Sequence, residues 1–549
     1  WALHGGPSAL ARRLARDRAV LAALVAIMLL ATAARAPGLF WGYRLFGTLT
    51  VPHLNPDEAK YSERIASDIL NHRVDLDNPH PPGLGAQVAF AWYVLDRLDL
   101  GEVARSDEFW FFAGRIVSLL AGVATVGLLY ALALEFFRDR ATALLAAYFL
   151  ALSSLHVTVS HTAKQDAAAT LWLYASLYAS LVFYRRPRLR VLAAAALSAG
   201  AAVAMKYVTV TVIPLLFAVA RARRRVYAAA GVAVLAAGAF FLFGGFSLTI
   251  ETLPAVRRLS RFLLAPPRYS RLHHVALYLG YLVIGMSLPI VVLAAYAGWR
   301  AVPRDRAAVL AALRDDRLPL IVALAIAFVQ IVMIRFPSPH YLATLLPLVA
   351  LLAARGFERI RRRWPAPVGR LMFGAVSVYL LAHVGSVEYH FVRDTREIAG
   401  EWLRRHVPTD EVLSVSRYAI VPPEYRTTPY LDRRYLVLHE SGFRRYLIRH
   451  TLHSRFTGRF PAAHEIYRPE LKYGHYPRIP QLFRGELPYT LVKRVPLRLL
   501  TPELALGWYL GFAPLGLGET LIFRARADAV VGGGAASGTG PAEAMPPEE

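Results

Sequence analysis

The sequence contains no cysteine, which excludes disulfide bonds and metal sites built from thiolates. It shows no internal repeat of the kind that marks solenoids and propellers. Acidic residues are scarce, since 38 Asp and Glu stand against 63 Lys and Arg. In a soluble protein the resulting net charge of +25 would suggest a nucleic-acid ligand. Here the arginines fall between apolar runs, and this distribution argues against nucleic acid.

Apolar residues are abundant instead. Hydrophobic residues make up 56% of the 549 positions, and the mean hydropathy is +0.38. This is too much apolar surface for a soluble multidomain protein and predicts a polytopic α-helical membrane protein. The apolar runs lie near 19–34, 116–134, 141–155, 167–184, 191–205, 207–220, 226–250, 275–299, 318–334, 341–354 and 371–387. We therefore expect about eleven transmembrane helices, several of them short.

Basic residues between the runs predict the orientation. Four arginines precede the first run, which places the N-terminus in the cytoplasm. A cleaved signal peptide is the alternative, but no clean cleavage site follows the run and further spans do. The later arginine-rich connections then all face the cytoplasm, as in a bacterial-type inner membrane. If the half-apolar stretch 84–95 crossed the membrane, every later loop would lie on the opposite side and the basic loops would no longer be cytoplasmic. We therefore expect 84–95 to form an interfacial helix on the outer face.

Composition divides the chain into three parts. Residues 1–390 are expected to form the transmembrane module, whose first outer loop spans 36–108. Residues 391–527 are expected to form a small extracytoplasmic α/β domain. Its helix is predicted over 394–406, and its strands over 412–416 and 435–439. The low-complexity tail 528–549 is predicted to be disordered.

Two adjacent carboxylates open a helix in the first outer loop, in the tetrapeptide Asn55-Pro56-Asp57-Glu58. One interpretation is a capping box, with Asn55 as N-cap, Pro56 in the first helical position and Glu58 reaching back. The other is catalysis. The two are compatible, because a helix N-terminus stabilises an ionised carboxylate, and a rigid ionised carboxylate can act as a base.

Further polar residues collect on the predicted outer face. Ionisable residues at membrane depth are expensive and suggest function. Cations there can also be interfacial side chains that extend toward water. The candidate cations are Lys60, Arg64, Lys164, Lys206, Arg268, Arg271 and Arg335. Lys206 and Arg335 are the stronger candidates, since each interrupts or ends an apolar run.

A divalent metal such as Mg, Mn, Ca or Zn is a further possibility. Its ligands would come from Glu58, Asp166, His273 and His274. No HxxxH or HExxH spacing supports this, and a solvated or interfacial role for each histidine is the alternative.

Several segments in order carry a family resemblance. They are NPDEAKYSERIASDIL, NPHPPG, RIVSLLAGVATVGLLYALALEFF, HTAKQDAAATLWLY, MKYVTVTVIPLL, SPHYLATLLPLVALLAARGFERI and DTREIAGEWLRRHVP. Over roughly residues 20–415 the chain resembles the GT-C glycosyltransferases, above all the superfamily of protein O-mannosyltransferases and lipid A aminoarabinose transferases.

The resemblance implies an activity and a set of site residues. It implies transfer of a sugar, with inversion, from a polyprenyl-phosphate-linked monosaccharide to a glycan, lipid or protein acceptor on the extracytoplasmic face. By motif, Asp57 matches the acidic residue that serves as catalytic base or acceptor-orienting group, and Glu58 lies beside it. Asp166 matches the second acidic position. The donor phosphate would be bound by Lys206, Arg335, His80, Lys164, His340 and Tyr341.

Two of these positions depart from the family pattern. His80 stands where relatives carry Lys before two prolines, and His340 stands where they carry Arg before Tyr. Both residues keep a nitrogen donor, but its charge depends on pH.

Two other functions stay open. A polyprenyl-lipid or solute transporter or flippase would place paired charges deep within spans, often in inverted repeats. A catalytically silent scaffold would only display the C-terminal domain. Convergence of the three acids on one outward-opening cavity would favour the transferase.

Overall fold

The computed structural model describes most of the helical segments and parts of the C-terminal region. The described residues are 7–42, 45–47, 58–71, 81–100, 108–206, 209, 225–242, 271–302, 322, 325, 328–329, 332, 338–416, 418–429, 433–443, 478–504 and 517–526. The chain forms two compact units. The first is Trp1–Trp41, Pro56–Glu388 and Leu500–Leu504, and the second is Gly42–Asn55, Tyr389–Leu499 and Ala505–Glu549.

The first unit is helical. Its helices are α1 Pro7–Ala33, α2 Ile65–Leu70, α3 Gly83–Arg97, α4 Phe109–Phe137, α5 Arg140–Ala151, α6 Ser154–Val159, α7 Gln165–Arg185, α8 Leu189–Met205, α9 Arg225–Leu242, α10 Arg271–Met286, α11 Leu288–Ala301, α12 Leu346–Arg361 and α13 Ala366–Val392. A π-helical turn, Ala59–Arg64, leads into α2, and 3-10 turns span Pro37–Phe40 and Pro339–Thr344. Side chains start two of the short helices, because Asp139 caps α5 and Ser153 caps α6.

Four described helices are long and apolar enough to cross a membrane. They are Asp17–Phe40, Phe109–Phe137, Gln165–Arg185 and Ala366–Val392, and a bent pair could count as a fifth. The expected count of about eleven spans stays a prediction, since run 207–220 and most of run 318–334 lie outside the described residues. The helix predicted over 84–95 is present as α3, and its interfacial location also stays a prediction.

The sequence analysis predicts one continuous span near 275–299, and the structure shows that this prediction is wrong. The chain instead forms α10 and α11, which meet at 118°. At the junction Ser287 has φ 74° and ψ 149°, a conformation outside the helical region. Pro289 lies in the first turn of α11 and has no N–H with which to continue a helix from α10.

The described part of the second unit contains a mixed sheet. Its strands are β1 Val412–Val415, β2 Arg426–Thr428, β3 Tyr435–His439, β4 Tyr489–Val495 and β5 Thr520–Ala525, in the order β2-β1-β3-β5-β4. Strands β1, β2 and β3 are parallel, and β5 pairs antiparallel with β3 and β4. The helices of this unit are α14 Thr395–His406 and α15 Arg478–Phe483.

The sheet is buried on both faces at β3. Leu436 and Leu438 belong to one apolar cluster, and Tyr435 and Val437 belong to another that includes Leu403 of α14. This follows from the alternation of side chains along a strand. The predicted helix over 394–406 and the predicted strands near 412–416 and 435–439 are confirmed. The tail 528–549 lies outside the described residues.

Candidate active site

A buried ion pair joins two of the predicted site residues. Asp166 lies in the first turn of α7, where a helix N-terminus favours a carboxylate. Lys206 follows the last residue of α8. The Lys206 Nζ atom lies 2.6 Å from Asp166 Oδ1, and both side chains are largely buried. The pair therefore fixes the carboxylate at the start of one apolar helix against the cation at the end of the next.

Aromatic and basic residues complete this cluster. Lys206 Nζ lies 4.8 Å from the centre of the Tyr341 ring, which is within cation–π range. The rings of His340 and Tyr341 are 4.4 Å apart, and Ser338 Oγ lies 2.8 Å from His340 Nδ1. Lys164 and His340 are both close enough to act electrostatically on Asp166.

The structure thus brings together five of the predicted residues. They are Lys164, Asp166, Lys206, His340 and Tyr341. The cluster contains one carboxylate, two ammonium groups and an imidazole, so cationic groups outnumber the carboxylate among these five residues whether His340 is counted as neutral or protonated. Such a balance suits an anionic ligand.

Glu58 makes a second buried ion pair, with Arg115 of α4. Arg115 Nε donates to Glu58 Oε2 at 2.8 Å, and Nη2 donates to Oε1 at 3.0 Å. Neither side chain has any solvent exposure. Arg115 Nη1 also donates to the carbonyl oxygens of Leu39 and Trp41, at 3.1 and 2.6 Å. The geometry is a bidentate carboxylate–guanidinium contact, the strongest of the common ion-pair arrangements.

The two ion pairs share the loop before α7. The Ala163 N–H donates to Glu58 Oε2 at 3.1 Å, and Ser118 Oγ donates to the Lys164 carbonyl at 3.2 Å. Glu58 therefore holds the backbone three residues before Asp166. Arg115 and Ala163 thus contact the carboxylate oxygens of Glu58. The catalytic role expected for Glu58 stays a prediction, and the capping box with Asn55 lies outside the described residues.

Other predicted residues fall outside the described part of the chain. These are Asp57, His80 and Arg335, while His273 and His274 are described only as backbone within α10. Among the described residues no group of three or more His, Asp or Glu side chains could hold a metal ion. A guanidinium contacts Glu58 and an ammonium lies against Asp166, and a metal site formed with His273 and His274 stays a prediction.

A buried polar network was not predicted. Arg35, just beyond α1, is fully buried, and its Nη1 donates to the carbonyl oxygens of Ala31 and Ala151. Its Nη2 donates to His156 Nδ1 at 2.7 Å. His161 Nε2 lies 3.4 Å from Glu388 Oε2.

In this network His161 is uncharged, and the backbone at Gly38 lies close against its ring. Burial, together with the charge of Arg35, lowers the pKa of His161 to about 3, so its contact with Glu388 is not an ion pair at neutral pH. A Cβ atom at Gly38 would lie 2.1 Å from the His161 ring. The available sequence signal was Arg35 itself, an ionisable residue directly after an apolar run.

An apolar cavity of about 670 Å³ lies among α3, α4 and α7. Its lining includes Phe90, Leu120, Ala168 and Trp172. Ala168 is two residues from Asp166, so the cavity begins within one helical turn of the acidic end of the cluster.

Comparison with known proteins gives one sequence match and several structural similarities. Residues 107–247 match the family model described as dolichyl-phosphate-mannose-protein mannosyltransferase. No curated protein matches the chain. A crystal structure of ArnT from Cupriavidus metallidurans bound to undecaprenyl phosphate is 15% identical, with a TM-score of 0.43, over 71% of this chain and 72% of that one. The Archaeoglobus fulgidus oligosaccharyltransferase complex with Zn and sulfate is 12% identical, with a TM-score of 0.44, over 70% of this chain and 55% of that one. The family match over 107–247, which includes α4, α7 and Asp166, confirms the resemblance of this chain to the GT-C glycosyltransferases.

Proposed function

We propose that the chain transfers a sugar from a polyprenyl-phosphate-linked monosaccharide to an acceptor on the extracytoplasmic face of a bacterial-type inner membrane. The acceptor is a glycan, lipid or protein. The observation that carries the proposal is the cluster of Asp166, Lys206, Lys164, His340 and Tyr341, which brings two ammonium groups and an imidazole beside an apolar cavity. A lipid-linked phosphate combines the two chemistries that such a place accommodates, since its phosphate is anionic and its tail is apolar.

The cavity among α3, α4 and α7 is the proposed place for the part of the polyprenyl chain near the phosphate. Its volume of about 670 Å³ lies within the range typical of small-molecule sites. Phe90 and Trp172 give it aromatic walls. A solute transporter would instead need polar groups along this surface.

The proposed reaction is one inverting displacement. Asp57 accepts the proton of the acceptor hydroxyl while the hydroxyl oxygen attacks the anomeric carbon from the face opposite the phosphate. The bond between the anomeric carbon and the phosphate oxygen breaks, and polyprenyl phosphate leaves with the electron pair. Lys164, Lys206 and His340 stabilise the charge that develops on the leaving phosphate, with Arg335 and His80 as further candidates. No step is assigned to a divalent metal.

Glu58 takes a positioning role in this proposal. It precedes the π-helical turn Ala59–Arg64 and follows Asp57 directly. Its pairing with Arg115 and its bond to Ala163 tie the segment next to Asp57 to the loop that carries Lys164 and Asp166. The base and the phosphate-binding residues thereby share one support.

The test is transfer of radiolabelled sugar from a panel of polyprenyl-phosphate monosaccharides by the purified full-length protein, with and without EDTA. Replacing Asp57 by Asn should lower the rate on the order of 10²–10⁴-fold, the usual contribution of a general base. Asp96→Asn is the matched control, since Asp96 is exposed on α3 and should leave the rate unchanged. Wild-type turnover by Asp57→Asn would refute the role of Asp57, and EDTA-sensitive transfer would show that a divalent metal takes part.

A transporter or flippase is the second candidate, and the break between α10 and α11 favours it. Discontinuous helices often line transport sites. The same donors in sealed vesicles distinguish the two functions. Translocation of intact lipid without any sugar transfer would support transport and overturn the transferase.

A further inference from the structure

The break between α10 and α11 exposes backbone groups that a continuous helix would satisfy internally. The last carbonyls of α10 and the first N–H groups of α11 lose their partners at such a junction. Within a membrane protein each unsatisfied group is expensive. Ser287 at the junction is fully buried, so bulk water does not hydrogen-bond to the backbone groups there.

Side chains from elsewhere satisfy the carbonyl end of the break. The Ile284 carbonyl lies 3.0 Å from Ser154 Oγ and 2.8 Å from His383 Nε2. The Gly285 carbonyl accepts from Ser153 Oγ at 2.9 Å. The two serines begin α6, the helix that leads into the loop before Asp166.

The Ile284 carbonyl determines which nitrogen of His383 carries the hydrogen. Thr501 Oγ1 lies 2.7 Å from His383 Nδ1. Because Nε2 faces the Ile284 carbonyl, it must be the donor, and Nδ1 then accepts from the threonine hydroxyl. The threonine hydroxyl therefore pairs with the remaining ring nitrogen and holds the orientation of the histidine at the broken helix.

Glu503 satisfies the other end of the break. The Leu288 N–H, at the start of α11, donates to Glu503 Oε1 at 3.2 Å, and Tyr379 OH donates to Oε2 at 2.6 Å. A carboxylate at a helix N-terminus is favourable. The Glu503 side chain is 2% exposed and its Oε1 lies 3.5 Å from His383 Nδ1.

Thr501 and Glu503 lie on one short segment with an unusual place in the sequence. Residues 500–504 lie between strands β4 and β5 of the sheet, yet they belong to the helical unit. We call this segment the pin. We propose that the pin fixes the break between α10 and α11, and that Glu503 and Thr501 are thereby positioning residues for the active site.

The second half of this proposal rests on the proposed function and on the packing of α10. Helix α10 packs against the turn Pro339–Thr344, which carries His340 and Tyr341, and against α6. The approach to α6 is close, since a Cβ atom at Gly285 would lie 2.7 Å from Leu155 Cβ. A shift of α10 at its broken end would therefore move both elements that present the cluster.

The absence of cysteine makes the pin directly testable. Ser287→Cys places one nearly isosteric thiol at the break in the full-length protein. With the pin intact, the buried thiol should react slowly with a maleimide reagent. Adding Glu503→Ala should raise the rate on the order of tenfold or more, the factor expected when hydrogen bonds to a charged group are lost. Adding Glu503→Gln, which keeps an acceptor for Leu288 or Tyr379, should restore most of the protection.

The control removes an exposed carboxylate in the other unit. Glu424 pairs with Arg404 at 2.6 Å on the surface, and Glu424→Ala should leave the reactivity of the thiol at position 287 unchanged. Equal maleimide rates with and without Glu503→Ala, in protein that elutes as a single folded species, would overturn the pin. Equal acceleration by Glu424→Ala would overturn it as well, because the effect would not be local.

Transfer kinetics test the positioning role separately. Glu503→Ala should lower kcat for sugar transfer severalfold, and Glu503→Gln should recover it. An exposed thiol with unchanged kinetics would overturn the positioning role and leave the pin supported. Absence of transfer by the wild-type protein would count against the proposed function, while the maleimide result would still decide whether the pin exists.

Discussion

The Glu58–Arg115 pair allows a quantitative test of whether Glu58 positions the site or takes part in the reaction. Two hydrogen bonds of 2.8 and 3.0 Å join the pair, and neither side chain is exposed. Glu58→Gln removes the negative charge and leaves a buried guanidinium without its counter-ion. Breaking a buried pair in this way costs about 3–5 kcal/mol. This loss is large compared with the free energy of unfolding of a typical domain, which is about 5–15 kcal/mol.

The double variant separates the pair from its surroundings. In Glu58→Gln with Arg115→Gln both charges are gone, so the second substitution should cost much less than the first. We expect a coupling energy of about 2–3 kcal/mol, at the upper end for residues in direct contact. The assay is denaturant and thermal unfolding of the detergent-solubilised protein. Asp17→Asn is the control, because its pairing with Arg140 is exposed and should contribute less than about 1 kcal/mol.

The outcome that would refute the reasoning is specific. If Glu58→Gln unfolds like the wild type but loses sugar transfer, Glu58 acts on substrate and is not a positioning residue. If the two substitutions are additive in stability, the contact does not provide the support that the geometry indicates. A destabilised Glu58→Gln that still transfers sugar, once folded, would agree with the positioning role.

Two further predictions concern other parts of the chain. Gly38→Ala should destabilise the helical unit by about 1–3 kcal/mol, the usual effect of overpacking, because the added methyl group would meet the His161 ring. Gly374→Ala is the control and should leave thermal unfolding unchanged, since open space surrounds Gly374. Although burial alone would raise it, the charge of Arg396 lowers the pKa of Asp394 from its ordinary value of 3.8 to about 2. The stability that this carboxylate contributes is therefore complete above about pH 4 and is lost as the pH falls toward 2. Asp394→Asn should reduce the change in the free energy of unfolding between these two pH values, measured by denaturant unfolding at each pH.

The cluster around Asp166 could be predicted from the sequence because its members stand out locally. Asp166 follows a polar stretch at the start of an apolar run, and Lys206 interrupts one. Ionisable residues in such places are rare enough to be noticed one at a time. The positive-inside pattern then puts them on one face, although it provides no distances. Tyr341 lies far along the chain, and its assignment to the site came from the motif resemblance and not from periodicity.

The partners of these residues could not be predicted in the same way. Arg115 lies 57 residues from Glu58 within an apolar helix, and nothing in its neighbourhood identifies a carboxylate partner. The pin is still more remote, since Glu503 meets Leu288 across 215 residues. Local propensities do not encode such pairings. The break at Ser287 did have a local signal, because Pro289 inside an apolar run indicates a helix boundary.

The charges of the cluster bear on the kind of ligand that it can hold. Asp166 and Lys206 neutralise each other at 2.6 Å, so the pair attracts neither cations nor anions strongly. Lys164 brings a second ammonium group to these residues, and His340 adds a positive charge when it is protonated. In the proposed reaction a phosphodiester donor carries one negative charge and gains a second as it becomes a leaving phosphate. Lys164, together with His340 when it is protonated, would interact more strongly with that developing charge than with the donor, which is the condition for lowering the barrier and not only for binding the donor.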